Sequence, residues 1–191
     1  DNDYYLNHSF LGKESVYGNP YVDYEQQITP TQLPGNVIIY GHNTNLDKNM
    51  FNPLTYYADR NYDGFNLLKD TYRINFDTIY ERGEYLIFAI FVTNTREDQG
   101  EVFEYHKVVN FNNEDEFNDY VSECLDRSYY YTGVDLEYGD QILTLSTCNF
   151  TWSDARTVIV ARKVRPNESP VLDTSKFIDN SGYIEDGKIK R

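Results

Sequence analysis

Three side chains in this sequence could share one reaction. Cys148 closes the apolar run Ile142-Leu-Thr-Leu-Ser-Thr-Cys148, His42 closes Asn36-Val-Ile-Ile-Tyr-Gly-His42, and Arg156 opens a β-branched run eight residues after the thiol. A free thiol titrates near pKa ~8.5, so only a small fraction is nucleophilic thiolate at neutral pH. A nearby imidazolium and guanidinium would raise that fraction. The imidazole could then protonate a leaving amine and deprotonate an incoming nucleophile. The guanidinium never loses its charge and presents fixed donors to an oxyanion. Each residue alone has a plainer reading: a small buried hydrophobe for the Cys, a surface or satisfied core residue for the His, a solvated edge charge for the Arg. What makes them a candidate set is that all three stand at strand ends.

The elements that must position them follow from periodicity. With side chains alternating along a strand, Ile142, Thr144, Ser146 and Cys148 share one face, and Leu143 and Leu145 take the other, expected to face the core. Ile38, Tyr40 and His42 share a face in the same way. Glu84–Thr93 reads as a buried strand, and Val102–Val109 as its neighbour across the polar turn 94–100. Residues 71–76 and 157–164 read as further strands, and 43–70 as a loop followed by helical turns. The best helix spans 112–127, where Phe117, Tyr120, Val121, Cys124 and Leu125 form one apolar stripe behind an Asn N-cap. Many short strands with one good helix predict a mainly β fold, a closed or nearly closed β-barrel with helical insertions.

Composition excludes several classes. The 191 residues carry a formal net charge of -14, against nucleic acid and against an anionic membrane surface. The longest apolar run, Tyr85–Val92, is too short to span a bilayer. No CxxC, HExxH, P-loop or GxGxxG occurs, so no cofactor and no metal are expected. Cys124 lies on the helix stripe and reads as core. His106, His8 and the Leu33-Pro-Gly35 turn read as structural. The acidic groups at 97–98 and 114–116 read as solvated faces.

Ile142-Leu-Thr-Leu-Ser-Thr-Cys148 followed by Ala155-Arg-Thr-Val-Ile-Val-Ala161 resembles the end of a sortase domain, a TLxTC strand followed by an Arg-led strand. Val37-Ile-Ile-Tyr-Gly-His-Asn43 resembles the sortase histidine strand. The Tyr-Gly-His-Asn form, the Asp1-Asn-Asp-Tyr-Tyr-Leu6 opening and the long helix near 113–127 resemble class B. The resemblance implies an eight-stranded sortase β-barrel and a cysteine transpeptidase, a thiol-protease-like hydrolase and acyltransferase, on the extracellular face of a Gram-positive cell membrane. Such an enzyme cleaves a C-terminal sorting signal of secreted proteins, usually after a Thr. It passes the acyl group through a thioacyl intermediate to an amine of a peptidoglycan cross-bridge or a pilin. By position Cys148 is the nucleophile, His42 the acid/base and Arg156 the oxyanion or substrate clamp. Tyr40 and Ser146 match groove positions, and the backbone of Thr147 a helper of the oxyanion.

Residues 1–164 are expected to form the catalytic domain and 165–191 a tail or peripheral hairpin. Class B sortases carry a helix and a first strand ahead of the Asp-Asn-x-Tyr-Tyr-Leu segment, at which this sequence opens. The expectation is therefore a barrel without its first strand. Lys176-Phe-Ile or Tyr183-Ile would fill the gap, or the open edge would let a normally monomeric chain dimerise. Two other functions compete: a catalytically idle sortase-like barrel that only holds peptides, and a papain-like hydrolase. The papain order of Cys before His is the reverse of the order here.

Overall fold

The computed structural model describes residues 2–44, 48–59, 61–185 and 188–189. In chain order these form α1 (Asn2–Leu6), β1 (Tyr21–Val22), β2 (Asn36–Tyr40), β3 (Asn43–Thr44), β4 (Asn49–Met50), a 3-10 helix (Asn52–Ala58), α2 (Gly64–Thr71), β5 (Arg73–Asn75) and β6 (Glu84–Thr93). There follow α3 (Glu114–Arg127), β7 (Tyr130–Tyr131), β8 (Ile142–Asn149), β9 (Ala155–Lys163), β10 (Ile178–Asp179), β11 (Ile184–Glu185) and β12 (Lys188–Ile189). Six strands make one curled half-barrel sheet in the order β1-β2-β8-β9-β6-β5. Only β2 and β8 are parallel; the other pairs are antiparallel.

The sheet is buried on both faces, which is why β6, β8 and β9 read as near-continuous apolar runs. Val37, Leu143, Leu145, Ile159 and Ala161 point into the concave core. Ile142, Val158 and Val160 point to the other face, where Phe117, Tyr120 and Cys124 of α3 cover them. A bulge between Ile87 and Ala89 of β6 flips the alternation. Before it, Tyr85 and Ile87 face the concave core; after it, Ile90 and Val92 do. Helix α3 begins at a reciprocal cap: Glu116 N donates to Asn113 Oδ1 (2.9 Å), and Asn112 N donates to Glu116 Oε2 (3.0 Å).

Two expectations are corrected here. Residues 102–109 are not a strand beside β6. The edges of β6 are already occupied, by β9 on one side and by β5 and Tyr129 on the other. The segment instead crosses to the start of β2, where Asn36 N donates to Val109 O (2.9 Å), and turns through a short 3-10 helix at Tyr105–Lys107. The second correction concerns the C-terminal segment, whose described residues add no strand to the six-stranded sheet: Ile178–Asp179 pairs with Tyr130–Tyr131. Phe177 and Tyr183 are drawn instead into the concave core, the latter with its ring tilted against that of Tyr129 at 4.4 Å between centroids. Burying those two rings outweighs extending an edge.

Candidate active site

The register of three adjacent strands builds a ladder on the α3 face. Its rungs are Asn36–Ile142–Arg162, Ile38–Thr144–Val160 and Tyr40–Ser146–Val158 across β2, β8 and β9. Cys148 pairs with Arg156 on the next rung. Beyond the end of β2 the alignment continues: Gly41 N donates to Ser146 O (3.2 Å), Thr147 Oγ1 to Gly41 O (2.7 Å) and Asn43 Nδ2 to Cys148 O (2.7 Å). His42 lies at the same end of the sheet, two residues past the end of β2 and next to Asn43, so the imidazole stands beside this top Cys148–Arg156 rung. Neighbouring strands lie about 4.8 Å apart, so the spacing is set by sheet geometry.

The lower rungs are covered. Tyr120 caps Thr144 (3.2 Å), and the buried Tyr105 caps Ser146 (2.7 Å). The face shared by Ile142, Thr144 and Ser146 is thus a second core up to Ser146, which is 2% exposed. Cys148, free of any disulfide, escapes that cover at the strand end and is partly exposed. His42 and Arg156 are likewise half-buried. The sequence-predicted groove residues separate accordingly. Tyr40 lines an open cavity. Ser146 spends its hydroxyl on Tyr105, and Thr147 points its hydroxyl to the other side, tying β8 to β2.

The imidazole and the guanidinium are each held by backbone. His42 O accepts from Phe51 N (2.9 Å), and His42 Nε2 is 2.8 Å from the carbonyl oxygen of Leu6. The Arg156 guanidinium donates through Nη1 to Asp154 O (3.1 Å) and Ala155 O (3.0 Å), with no carboxylate partner among the described residues. A cavity of about 360 Å³ between Tyr40, Tyr105, His106 and Arg156 opens on one side of this Arg. Another of about 420 Å³ between Cys148, Phe150, Trp152 and Arg156 opens on the other. Arg156 is the shared wall.

The phenols at and beside the first cavity are held in their protonated form. Burial, followed by the Asp23 and Asp3 carboxylates, pushes the Tyr21 phenol up to about 12. Burial and Asp23 also raise Tyr40, and burial raises Tyr105. His106 is driven down, chiefly by burial, which outweighs the opposing Glu104 carboxylate, with Lys107 and Arg156 adding to the fall. Cys124, by contrast, is buried under α3, and desolvation drives its thiol far above the ordinary range. Sequence reading missed Tyr105 and Leu6. Tyr105 sat in a segment read as a strand, and Leu6 contributes a main-chain oxygen, which leaves no side-chain signal.

A partly exposed thiol paired with an unneutralised guanidinium, with an imidazole at the same end of the sheet, has the groups needed to attack an acyl carbon, stabilise an oxyanion and move a proton to and from an amine. The Sortase domain family model matches residues 13–164. A curated Sortase B from Listeria monocytogenes is 33% identical over 153 residues, covering 78% of this chain. The chain spans 54% of that relative's length. Sortase B of Clostridium perfringens superposes with a TM-score of 0.71 at 26% identity, over 86% of this chain and 83% of that one. The Staphylococcus aureus sortase B–substrate complex superposes with a TM-score of 0.70 at 25% identity, over 86% of this chain and 70% of that one. With the motif strands, the sheet and the matches agreeing, the chain belongs to the sortase family, and its similarities fall within class B.

Proposed function

We propose that this chain is the catalytic part of a cysteine transpeptidase acting on the C-terminal sorting signals of secreted proteins. Support comes above all from one observation: Cys148 and Arg156 pair across β8 and β9 at the end of the sheet where His42 follows β2. That one of the similar structures is a substrate complex supports a peptide as the first partner.

In the first half-reaction the Cys148 thiolate adds to the scissile carbonyl, forming a C–S bond. The oxyanion is met by guanidinium N–H groups of Arg156 not committed to Asp154 O and Ala155 O. Collapse breaks the C–N bond, and the His42 imidazolium gives its proton to the departing amine. A thioacyl enzyme remains. In the second half-reaction the acceptor amine, of a peptidoglycan cross-bridge or a pilin, adds to the thioester carbonyl. His42 takes the amine proton, and the C–S bond breaks to return the thiolate. Tyr40 lines the peptide side of Arg156, and Ser146 braces it from below through Tyr105. The Thr147 backbone supports the strand that carries the thiol. This chemistry belongs on the outer face of a Gram-positive membrane, on a chain working as a monomer.

A fluorogenic sorting peptide, incubated with and without an amine acceptor, tests the proposal. Cleavage is expected with wild type, transfer when amine is added, and loss of about 10⁴-fold or more in Cys148→Ala. Cleavage that survives the substitution would reject the mechanism. Peptide binding without cleavage by wild type would leave the idle binding module in its place.

A further inference from the structure

The His42 ring is fixed by a part of the molecule far from the motif strands. Its Nε2 lies 2.8 Å from the Leu6 carbonyl oxygen, at the last residue of α1. A carbonyl oxygen can only accept, so Nε2 must carry the hydrogen in the neutral as well as the charged ring. The lone pair of the neutral ring is then on Nδ1.

That oxygen is itself held in place from two directions. Asn2 Nδ2 donates to Asp23 Oδ2 (3.2 Å), Tyr24 N donates to Asn2 Oδ1 (3.0 Å), and Asp23 N donates to Ile38 O (3.0 Å). These bonds tie α1 back to β2, the strand that leads to His42. From beneath, Gly18 (φ +54°) packs so closely that a Cβ there would lie 2.5 Å from both the Leu6 and the Tyr5 carbonyl oxygens. Asn19 N meanwhile donates to Tyr5 O (2.9 Å). Only a glycine fits under the oxygen that holds the imidazole.

We propose that the Leu6 carbonyl, seated by Gly18, is a positioning group that locks His42 as the Nε2–H tautomer. Nδ1 is then the nitrogen that gives the proton to the leaving amine and takes it from the incoming one. The catalytic half of this inference rests on the proposed function; the tautomer does not.

The test is a long-range ¹H–¹⁵N correlation spectrum of the whole chain, recorded above the pH at which the imidazole titrates, together with kinetics on a sorting peptide. Wild type is expected to show His42 as Nε2–H. Gly18→Ala is expected to show a mixture of tautomers and to lose ~10–100-fold in kcat, with KM for the peptide changed less than about threefold. Gly12→Ala is the control. It also replaces a positive-φ glycine (+70°) in the N-terminal segment, but its Cβ would meet only the Tyr4 hydroxyl at 3.4 Å. Its tautomer and kcat are expected to match wild type. An Nδ1–H ring in wild type overturns the inference, whether or not Gly18→Ala folds. So does a folded Gly18→Ala that keeps the wild-type tautomer, with kcat either retained or lost. Failure of the proposed function has a different signature: no cleavage of any sorting peptide, with the Nε2–H ring intact.

Discussion

The two ends of the three-strand ladder carry the same residue type under opposite conditions. Arg162 sits on the bottom rung of β9 and Arg156 on the top, facing the same side of the sheet. Arg162 is 1% exposed and is met by both oxygens of Glu168 (2.6 and 2.5 Å). Asp135 lies 3.7 Å away, and Arg165 joins Asp135 to Asp140. Arg156 is partly exposed between two cavities and, among the described residues, is bonded to two carbonyl oxygens and no carboxylate. In a chain of net charge -14 a carboxylate would not be hard to supply. Burying a guanidinium requires a carboxylate; stabilising a transient oxyanion requires that none be there. One strand thus carries a structural charge and, on the function proposed above, a catalytic one, and they differ by what neutralises them, not by residue type.

The largest effect that would break this comparison is on catalysis. Arg156→Ala removes the only guanidinium on the top rung and is expected to lower kcat by ~10²–10³-fold, about 3–4 kcal/mol of transition-state stabilisation. Its melting temperature is expected to stay within a few degrees of wild type. Arg156→Lys keeps the charge but not the fork of donors, and is expected to fall between them. Peptide kinetics and a thermal melt on the same samples decide it: a folded Arg156→Ala with a much lower melting temperature and unimpaired kcat would reverse the assignment.

At the bottom rung the effect is on stability. Hydrogen bonds from Arg162, reinforced by the Arg165 backbone N–H, outweigh partial burial and hold the Glu168 carboxyl down at about 2 against an ordinary 4.5. A carboxyl lowered on folding contributes stability that is fully present above its unfolded value. That contribution is lost as pH falls through the folded one. Glu168→Gln is expected to cost about 2–3 kcal/mol at neutral pH, somewhat below the usual loss for breaking a buried pair because Asp135 remains. The gap between wild type and Glu168→Gln is expected to shrink as pH falls from 4.5 towards 2, and denaturant melts across that window measure it. A gap that stays constant would mean the pair does not stabilise the fold through its charge. Peptide turnover of the folded variant is expected to change less than about twofold.

The same contrast explains what sequence could and could not reveal. β6, β8 and β9 are legible because both their faces are buried, so their apolar runs are nearly unbroken. The stripe and cap of α3 are legible because helix periodicity and local hydrogen bonds need no distant partner. The order of His42, Cys148 and Arg156 at strand ends is visible in the motifs. What covers the rungs beneath them is not: Phe103 and Tyr105 alternate with polar residues as a strand would, yet both edges of β6 were taken. The pairing of β10 with β7 was equally hidden, because Phe177 and Tyr183 found their place by long-range aromatic packing. Leu6 acts on His42 through an oxygen that every residue possesses.

The smallest expected effect extends the comparison to the two thiols. Cys124 is fully buried beneath the sheet, and burial pushes its pKa well above the ordinary thiol value, so it stays protonated and out of reach of reagents. Cys148 stands on the uncovered rung. Native protein is therefore expected to take up one equivalent of iodoacetamide, at Cys148, with peptide cleavage lost in step. A second equivalent enters only when denaturant unfolds the chain. Cys124→Ala removes one sulfur from a packed site and is expected to cost about 1 kcal/mol with cleavage unchanged. Rapid native labelling of Cys124, or loss of turnover in Cys124→Ala at full folding, would show that the cover over the lower rungs opens far more readily than its packing implies. The ladder could then no longer be divided into a closed structural end and an open chemical one.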